Sequence, residues 1–405
     1  MSKIKIRNFG PIKDGYQEDD GWLDVKKVTV FTGNQGAGKS TVAKLISTLT
    51  WIEKALVRGD YNKSRFEQKD VLQNLYLNYH RLENYFKNNT KIEYQGDAYF
   101  MKYENNQLVI NKIESETYLL PQIMYVPAER NFITHLKSNE LKQFSESFRE
   151  FLREYDNAKE NMKGVVKLPI NDVGVEHDKW NNTLNIKGED HEVKLNEASS
   201  GLQSLVPLYL VSDYLADSVR KQSKVREPMS LEQTQRFQTQ VELIRDAEGL
   251  TDEQKRIAIS AFASKFNKTI FINIVEEPEQ NLFPDSQRKI LNSLLELNNM
   301  SEGNKLIMTT HSPYLINYLT LAVKADALKS KLNGATQNTK LNDIVPLKST
   351  INANDLAIYE MDEKDGSIKK LETYNGLPSD ENELNEQLEQ SNELFAQLLE
   401  IQQTL

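Results

Sequence analysis

The sequence predicts an α/β fold, on three observations. Short apolar or β-branched runs at Val28–Phe31, Ile123–Val126, Thr269–Val275 and Lys305–Thr310 read as buried strands, with helical patterns lying between them. A glycine-rich loop joins the first of these strands to a helix. The composition, 39% hydrophobic and 27% charged, suits a packed globular chain and excludes wholesale disorder.

The elements follow in order. Lys3–Ile6 (KIKI) alternates with period two, as a half-buried strand does. Val28–Phe31 (VTVF) runs into Thr32-Gly33, and Thr41–Thr50 takes a helical pattern. Residues 51–90 read as polar helix. Lys91–Tyr94, Ala98–Tyr103 and Gln107–Ile110 then read as antiparallel strands, broken at Gln95-Gly96-Asp97 and Asn105-Asn106 by hairpin turns. Ile123–Val126 leads into Pro127-Ala128-Glu129-Arg130, and a charged helical region covers Phe132 to Asn161. A hairpin, Thr183–Ile186 with Glu192–Leu195, precedes an apolar helix from Ser200 to about Arg220. Residues 220–268 are charged and helical, with a break at Pro228 and a fresh start at Ser230. After the strands Thr269–Val275 and Lys305–Thr310, a last hairpin pairs Asp355–Glu360 with Ile368–Glu372, and an acidic helix spans Glu381 to Gln402.

Bulk properties narrow the function. The chain of 405 residues carries 50 basic and 59 acidic residues, a net charge of −9, so nucleic acid can be met only through a local patch. Arg220, Lys221, Lys224 and Arg226 are the best such patch, or else a solvated helix end. With no cysteine, thiolate zinc sites, iron–sulfur clusters and disulfides are excluded. The longest apolar stretch, Leu205–Val211, is far short of the ~20 residues a membrane helix requires, and the N-terminus lacks a signal peptide's apolar core. A cytoplasmic protein with no membrane contact is expected.

Two motifs carry chemistry. Gly33-Asn34-Gln35-Gly36-Ala37-Gly38-Lys39-Ser40 satisfies G-x-x-x-x-G-K-[ST] between a strand and a helix. Glycines let successive amides, through to Thr41, turn toward a phosphate at the positive end of the new helix. Lys39 reaches the β- and γ-phosphates and the Ser40 hydroxyl ligates Mg²⁺, so ATP with Mg²⁺ is the expected ligand. The strand Thr269–Val275 delivers Glu276 and Glu277 at its C-terminal end. There Glu276 would hold Mg²⁺ or its water, and Glu277 would orient and deprotonate the attacking water.

Around these motifs the chain resembles ABC-type ATPases of the SMC and repair branch. More closely, it resembles the small stand-alone ATPases that accompany effectors in bacterial anti-phage systems, such as the OLD-like, Septu and retron-associated modules. Ser199-Ser200-Gly201-Leu202-Gln203 matches the signature L-S-G-G-Q at Ser200, Gly201 and Gln203, and otherwise reads as an ordinary helix cap. The string Glu276-Glu277-Pro278-Glu279-Gln280-Asn281-Leu282-Phe283-Pro284 is very like the defence-associated group, with Glu279 to Pro284 in the D-loop slot.

The resemblance implies a nucleotide-binding head with a mixed core sheet, a small antiparallel β-lobe and a helical signature lobe. It implies that Lys39, Glu277 and His311 are catalytic, His311 as the switch histidine 34 residues after Glu277. Ser200, Gly201 and Gln203 would face the γ-phosphate held by a partner copy, in an ATP-sandwiched homodimer or higher oligomer. The Q-loop role falls to Glu129 or Arg130. A single domain over 1–405 is expected, with insertions at 51–120, 130–165 and 196–268 and a closing segment at 350–405. A separately encoded effector, a nuclease by resemblance, is the expected partner. A nucleotide-gated scaffold and an SMC-like repair ATPase are the alternatives. The C-terminal helix, with Leu384, Leu388, Leu394, Leu398 and Leu399 at helical spacing, packs either on the protein's own core or on a partner.

Overall fold

The computed structural model describes residues 2–114, 118–136, 141–223, 231–263, 268–332 and 334–403. Its centre is a seven-stranded sheet in the order Gly15–Tyr16, Ser367–Lys370, Leu356–Met361, Val28–Gly33, Lys305–Thr310, Ile270–Glu276, Pro121–Val126. The five strands from Leu356–Met361 to Pro121–Val126 run parallel, and Ser367–Lys370 pairs antiparallel with Leu356–Met361, so the sheet is mixed.

These strands are buried on both faces, which is why they read as near-continuous apolar runs. Val28, Val30, Leu306 and Met308 face one core with the helices Glu146–Asn161, Ser200–Ser223, Pro284–Asn298 and Pro313–Lys329. Phe31, Ile272, Ile274 and Ile307 face the other, against the helix Lys39–Arg58 and an antiparallel lobe. Register aligns the functional ends: Glu276 pairs with Thr309, and Thr310 with Thr32. Gly33, Glu277 and His311 are therefore brought to one edge of the sheet, at the C-terminal ends of its parallel strands.

The structure departs from the sequence expectations in several places. The antiparallel lobe has five strands, and it recruits Lys3–Phe9 and Leu23–Asp24 from outside 51–120 to pair beside Phe86–Gln95. Alternation along Lys3–Phe9 makes it a strand, but only its partner decides which sheet it joins. Residues 51–90 are not one helix. The phosphate-loop helix ends at Arg58, capped by Gly59 at φ 72°, and short helical turns follow. The region Phe132 to Asn161 opens with 3₁₀ turns over Ala128–His135, and its α-helix starts at Glu146, where the Ser145 hydroxyl accepts the Phe148 amide. The hairpin at 183–195 belongs to a four-stranded sheet with Gly174–Asp178 and Val166–Lys167.

The C-terminal helix, Glu383–Gln403, touches the main core through Leu384, whereas Leu394, Phe395 and Leu398 are each about three-fifths exposed. Packing of its whole apolar face on the protein's own core is thereby corrected. In the proposed basic patch, Arg220 and Lys221 both pair with Asp217. Lys224, Arg226, Pro228, Ser230 and the side chain of Leu388 lie outside the described residues. No helix among the described residues is long and apolar enough to cross a membrane.

Candidate functional site

The loop at 33–40 has the backbone its glycines allow. Gly33, Gly36 and Gly38 all have positive φ, at 132°, 80° and 104°. A side chain at Gly33 would also place its Cβ 2.2 Å from the Met361 carbonyl oxygen of the neighbouring strand. Gly38 starts the helix Lys39–Arg58 without a side-chain cap, so the first helical amides are not taken by a capping side chain. Asn34, Gln35 and Gly36 are exposed, Ser40 is half-buried, and Ala37 and Thr41 are buried. Ala37 and Thr41 can therefore offer mainly backbone. Lys39 folds back over the loop, its Nζ donating to the Gly33 and Asn34 carbonyls at 2.8 and 2.7 Å.

Three side chains meet there. The Lys39 Nζ lies 3.5 Å from His311 Nδ1, and His311 Nε2 lies 3.6 Å from Glu277 Oε1. Glu277 has φ 45°, a left-handed conformation that costs a non-glycine residue about 1–2 kcal/mol. Its amide donates to the Thr309 carbonyl at 2.9 Å, which sets that turn against the neighbouring strand. Beside them opens a cleft of about 650 Å³ lined by Gln35, Glu277, Asn281, Phe283 and His311, a size typical of small-molecule sites.

Burial tunes each group. It lowers Lys39 to about 8, with Glu277 and Glu279 pulling the other way. His311 is held below its ordinary value by burial and then by the Lys39 ammonium, so its ring is neutral at pH 7. Glu277 is raised by burial and by the Glu276 charge, which makes its carboxylate a stronger base.

Glu276 is buried; its Oε2 accepts the Ala128 amide at 3.0 Å. Its Oε1 makes no hydrogen bond and lies 3.9 Å from Lys44 Nζ, one helical turn beyond Ser40. A spare carboxylate oxygen facing the helix that carries the Ser40 hydroxyl is the hard-oxygen donor set that suits Mg²⁺ bound with phosphates. The residues present fit that group.

Two participants, Glu279 and Glu363, had no role at the nucleotide site in the sequence reading, and Arg130 stood there as one of two Q-loop candidates. Glu279, placed only in a loop slot, is half-buried and holds His311: its Oε1 accepts the His311 amide at 2.7 Å and the Thr310 hydroxyl at 2.8 Å. Its position in an acidic string gave no sign of which carboxylate would turn inward. Glu363, in the turn between the strands Leu356–Met361 and Ser367–Lys370, accepts the Asn34 side-chain amide at 3.2 Å. Arg130 is fully buried, whereas Glu129 is exposed.

The signature turn sits close by in the same chain. Ser199 and Ser200 are exposed at the start of the helix Ser200–Ser223. A Cβ at Gly201 would come 2.8 Å from the Asn281 carbonyl oxygen, so glycine permits this close approach. Gln203 braces its own turn in the single chain. Its amide donates to the Ala198 and Asn196 carbonyls at 2.8 and 3.2 Å, and its oxygen lies 3.1 Å from His135 Nε2.

A protein family described as AAA ATPase domain matches residues 60–316 of this chain. The matched stretch holds Arg130, Ser200, Glu276, Glu277 and His311, and begins beyond the phosphate loop. Among solved structures, the chain is similar to the SMC head domain from Thermotoga maritima, at 12% identity and a TM-score of 0.33, over 78% of this chain and 90% of that one. It is similar to the Smc head domain of Pyrococcus furiosus bound to the C-terminal domain of ScpA, at 9% identity and a TM-score of 0.36, over 98% and 100% of the two chains. A dimeric bacterial ABC transporter cassette is similar at 13% identity and a TM-score of 0.25, over 92% and 100%. No curated protein matches.

Proposed function

Because the chain belongs to the AAA ATPase domain family and so hydrolyses ATP, we propose that two copies close around ATP and Mg²⁺ and that hydrolysis switches a partner protein in the cytoplasm. The observation that carries this is the meeting of Lys39, His311 and Glu277 at the glycine loop, within 3.6 Å of one another in series.

In this reading the amides from Gly33 to Thr41 and the Lys39 ammonium bind the phosphates. Mg²⁺ screens the triphosphate charge when bound, and Ser40 and Glu276 would hold it. Glu277 takes the proton of the attacking water on Oε1, while neutral His311 orients that carboxylate and faces the γ-phosphate. Glu279 keeps the His311 backbone in place. Ser200 and Gly201, exposed or half-exposed at a helix start, supply the second half of the pocket to the other copy. Phe283, 77% exposed beside the cleft, suits burial when the copies close.

The partner is an effector, of the nuclease kind found in anti-phage modules. The C-terminal helix supports this, since Leu394, Phe395 and Leu398 stand exposed on a helix with five glutamates and no basic residue. A nucleic-acid contact through Arg220 and Lys221 is less favoured, as both already pair with Asp217.

Mass photometry tests the paired state. Glu277→Gln protein is expected to double in mass on adding ATP with Mg²⁺ and to stay doubled. An unpaired mass at saturating ATP would sink the two-copy reading. The pH dependence is a second expectation. Lys39 is mostly charged at pH 7 and mostly neutral at pH 9, so ATP affinity should fall about tenfold across that interval. Equal dissociation constants at the two pH values would remove Lys39 as the phosphate ligand.

A further inference from the structure

Arg130 is a fully buried guanidinium that binds three separate segments of backbone. Its Nε donates to the Ser204 carbonyl at 3.0 Å, in the first turns of the signature helix. One Nη1 hydrogen goes to Pro127 O at 3.1 Å, and the other to Glu276 O at 2.7 Å. The Nη2 donates to Glu277 O at 2.6 Å. Four of its five N–H groups are thus pinned, and two of them hold the very peptides that carry the paired carboxylates.

We infer that Arg130 is a positioning residue that makes the place of the Glu277 carboxylate depend on where the start of the signature helix sits. Among the described residues, two further side-chain hydrogen bonds tie the helix to this region. Deep in the core, Ser212 accepts the Asn273 side-chain amide at 3.0 Å, which anchors the helix to the strand Ile270–Glu276. Near the site, Asn281 donates to the Ser204 hydroxyl at 3.1 Å. The Ser212 tie lies on the strand body and the Asn281 tie on the following loop. Among the described residues, only Arg130 grips the Glu276 and Glu277 carbonyls and the signature turn with one rigid group. When a second copy draws on Ser200 and Gly201, a shift of Ser204 is passed through that planar fork to the backbone of Glu277. The nucleotide itself need not touch Arg130. Lysine could not substitute, because its single nitrogen cannot span carbonyls on both sides of a fork.

The inference rests on Glu277 acting as the base, so the test separates the two. Steady-state kinetics, nucleotide binding and thermal melting are compared for the unaltered protein, Arg130→Lys, Glu277→Gln and the double variant. Arg130→Lys is expected to lower kcat at least about tenfold with nucleotide affinity held within about threefold, and to change nothing further in the Glu277→Gln background. The same loss in both backgrounds, or an effect on KM alone, overturns it. Full turnover by Glu277→Gln would instead overturn the role of Glu277.

If Arg130→Lys does not fold, Pro207→Ala serves. Pro207 leaves the Gln203 carbonyl without its helical donor, so alanine re-seats the turn holding Ser204. Amide exchange at Glu277, whose N–H bonds Thr309 O, should then change together with exchange at residues 202–206. A change confined to the signature helix overturns the inference.

Discussion

Glu277→Gln is expected to lower ATP turnover by about two to three orders of magnitude while nucleotide still binds. The substitution keeps the shape of the side chain and removes only its capacity to take a proton. Glu277 is suited to that task by its setting. It stands 3.6 Å from a His311 ring that burial keeps neutral, so no imidazolium competes for its charge. Burial and Glu276 raise its proton affinity. The left-handed turn at Glu277, bonded to Thr309 and to Arg130, fixes its direction. Single-turnover assays with radiolabelled ATP would read the chemical step directly. Retention of more than about a tenth of the normal rate would move the base elsewhere, with Glu279 a poor substitute because it is already bonded to Thr310 and His311.

Lys39→Ala should abolish binding and turnover together. Its ammonium is bonded inside the glycine loop, held by the Gly33 and Asn34 carbonyls where a β-phosphate would take their place. Loss of such a charge-assisted contact costs about 2–4 kcal/mol, or a factor of roughly 30 to 1,000 in affinity. Isothermal titration with a non-hydrolysable triphosphate measures it. Binding at unaltered strength would show that the loop amides suffice. The two variants should therefore differ in kind: Glu277→Gln saturates with nucleotide and stalls, whereas Lys39→Ala never loads.

Local chemistry made much of this legible. Strands buried on both faces, such as Lys305–Thr310, need apolar residues at every position, and a loop that turns its amides inward needs glycine at 33, 36 and 38. A strand end in the sequence pointed to Glu277 and the family resemblance to His311, and the structure sets both at one edge of the sheet. What escaped was long-range. Arg130, in sequence one of two Q-loop candidates, and Glu279 are ordinary charged residues there, and the burial of the one and the inward turn of the other's carboxylate exist only because carbonyls or amides from distant segments meet them. The C-terminal helix shows the same limit from the other side. Its apolar stripe is written in the sequence, but whether anything in the chain would cover it was not.

By itself, then, the amino-acid order determined the strands, the glycine loop and the residue types able to bind and hydrolyse a triphosphate, since each depends on neighbours within a few positions. Tertiary structure decided which lobe received Lys3–Phe9 and that Arg130 links the signature helix to Glu277. Those outcomes turn on hydrogen bonds between groups tens to hundreds of residues apart, and periodicity carries no record of such pairings.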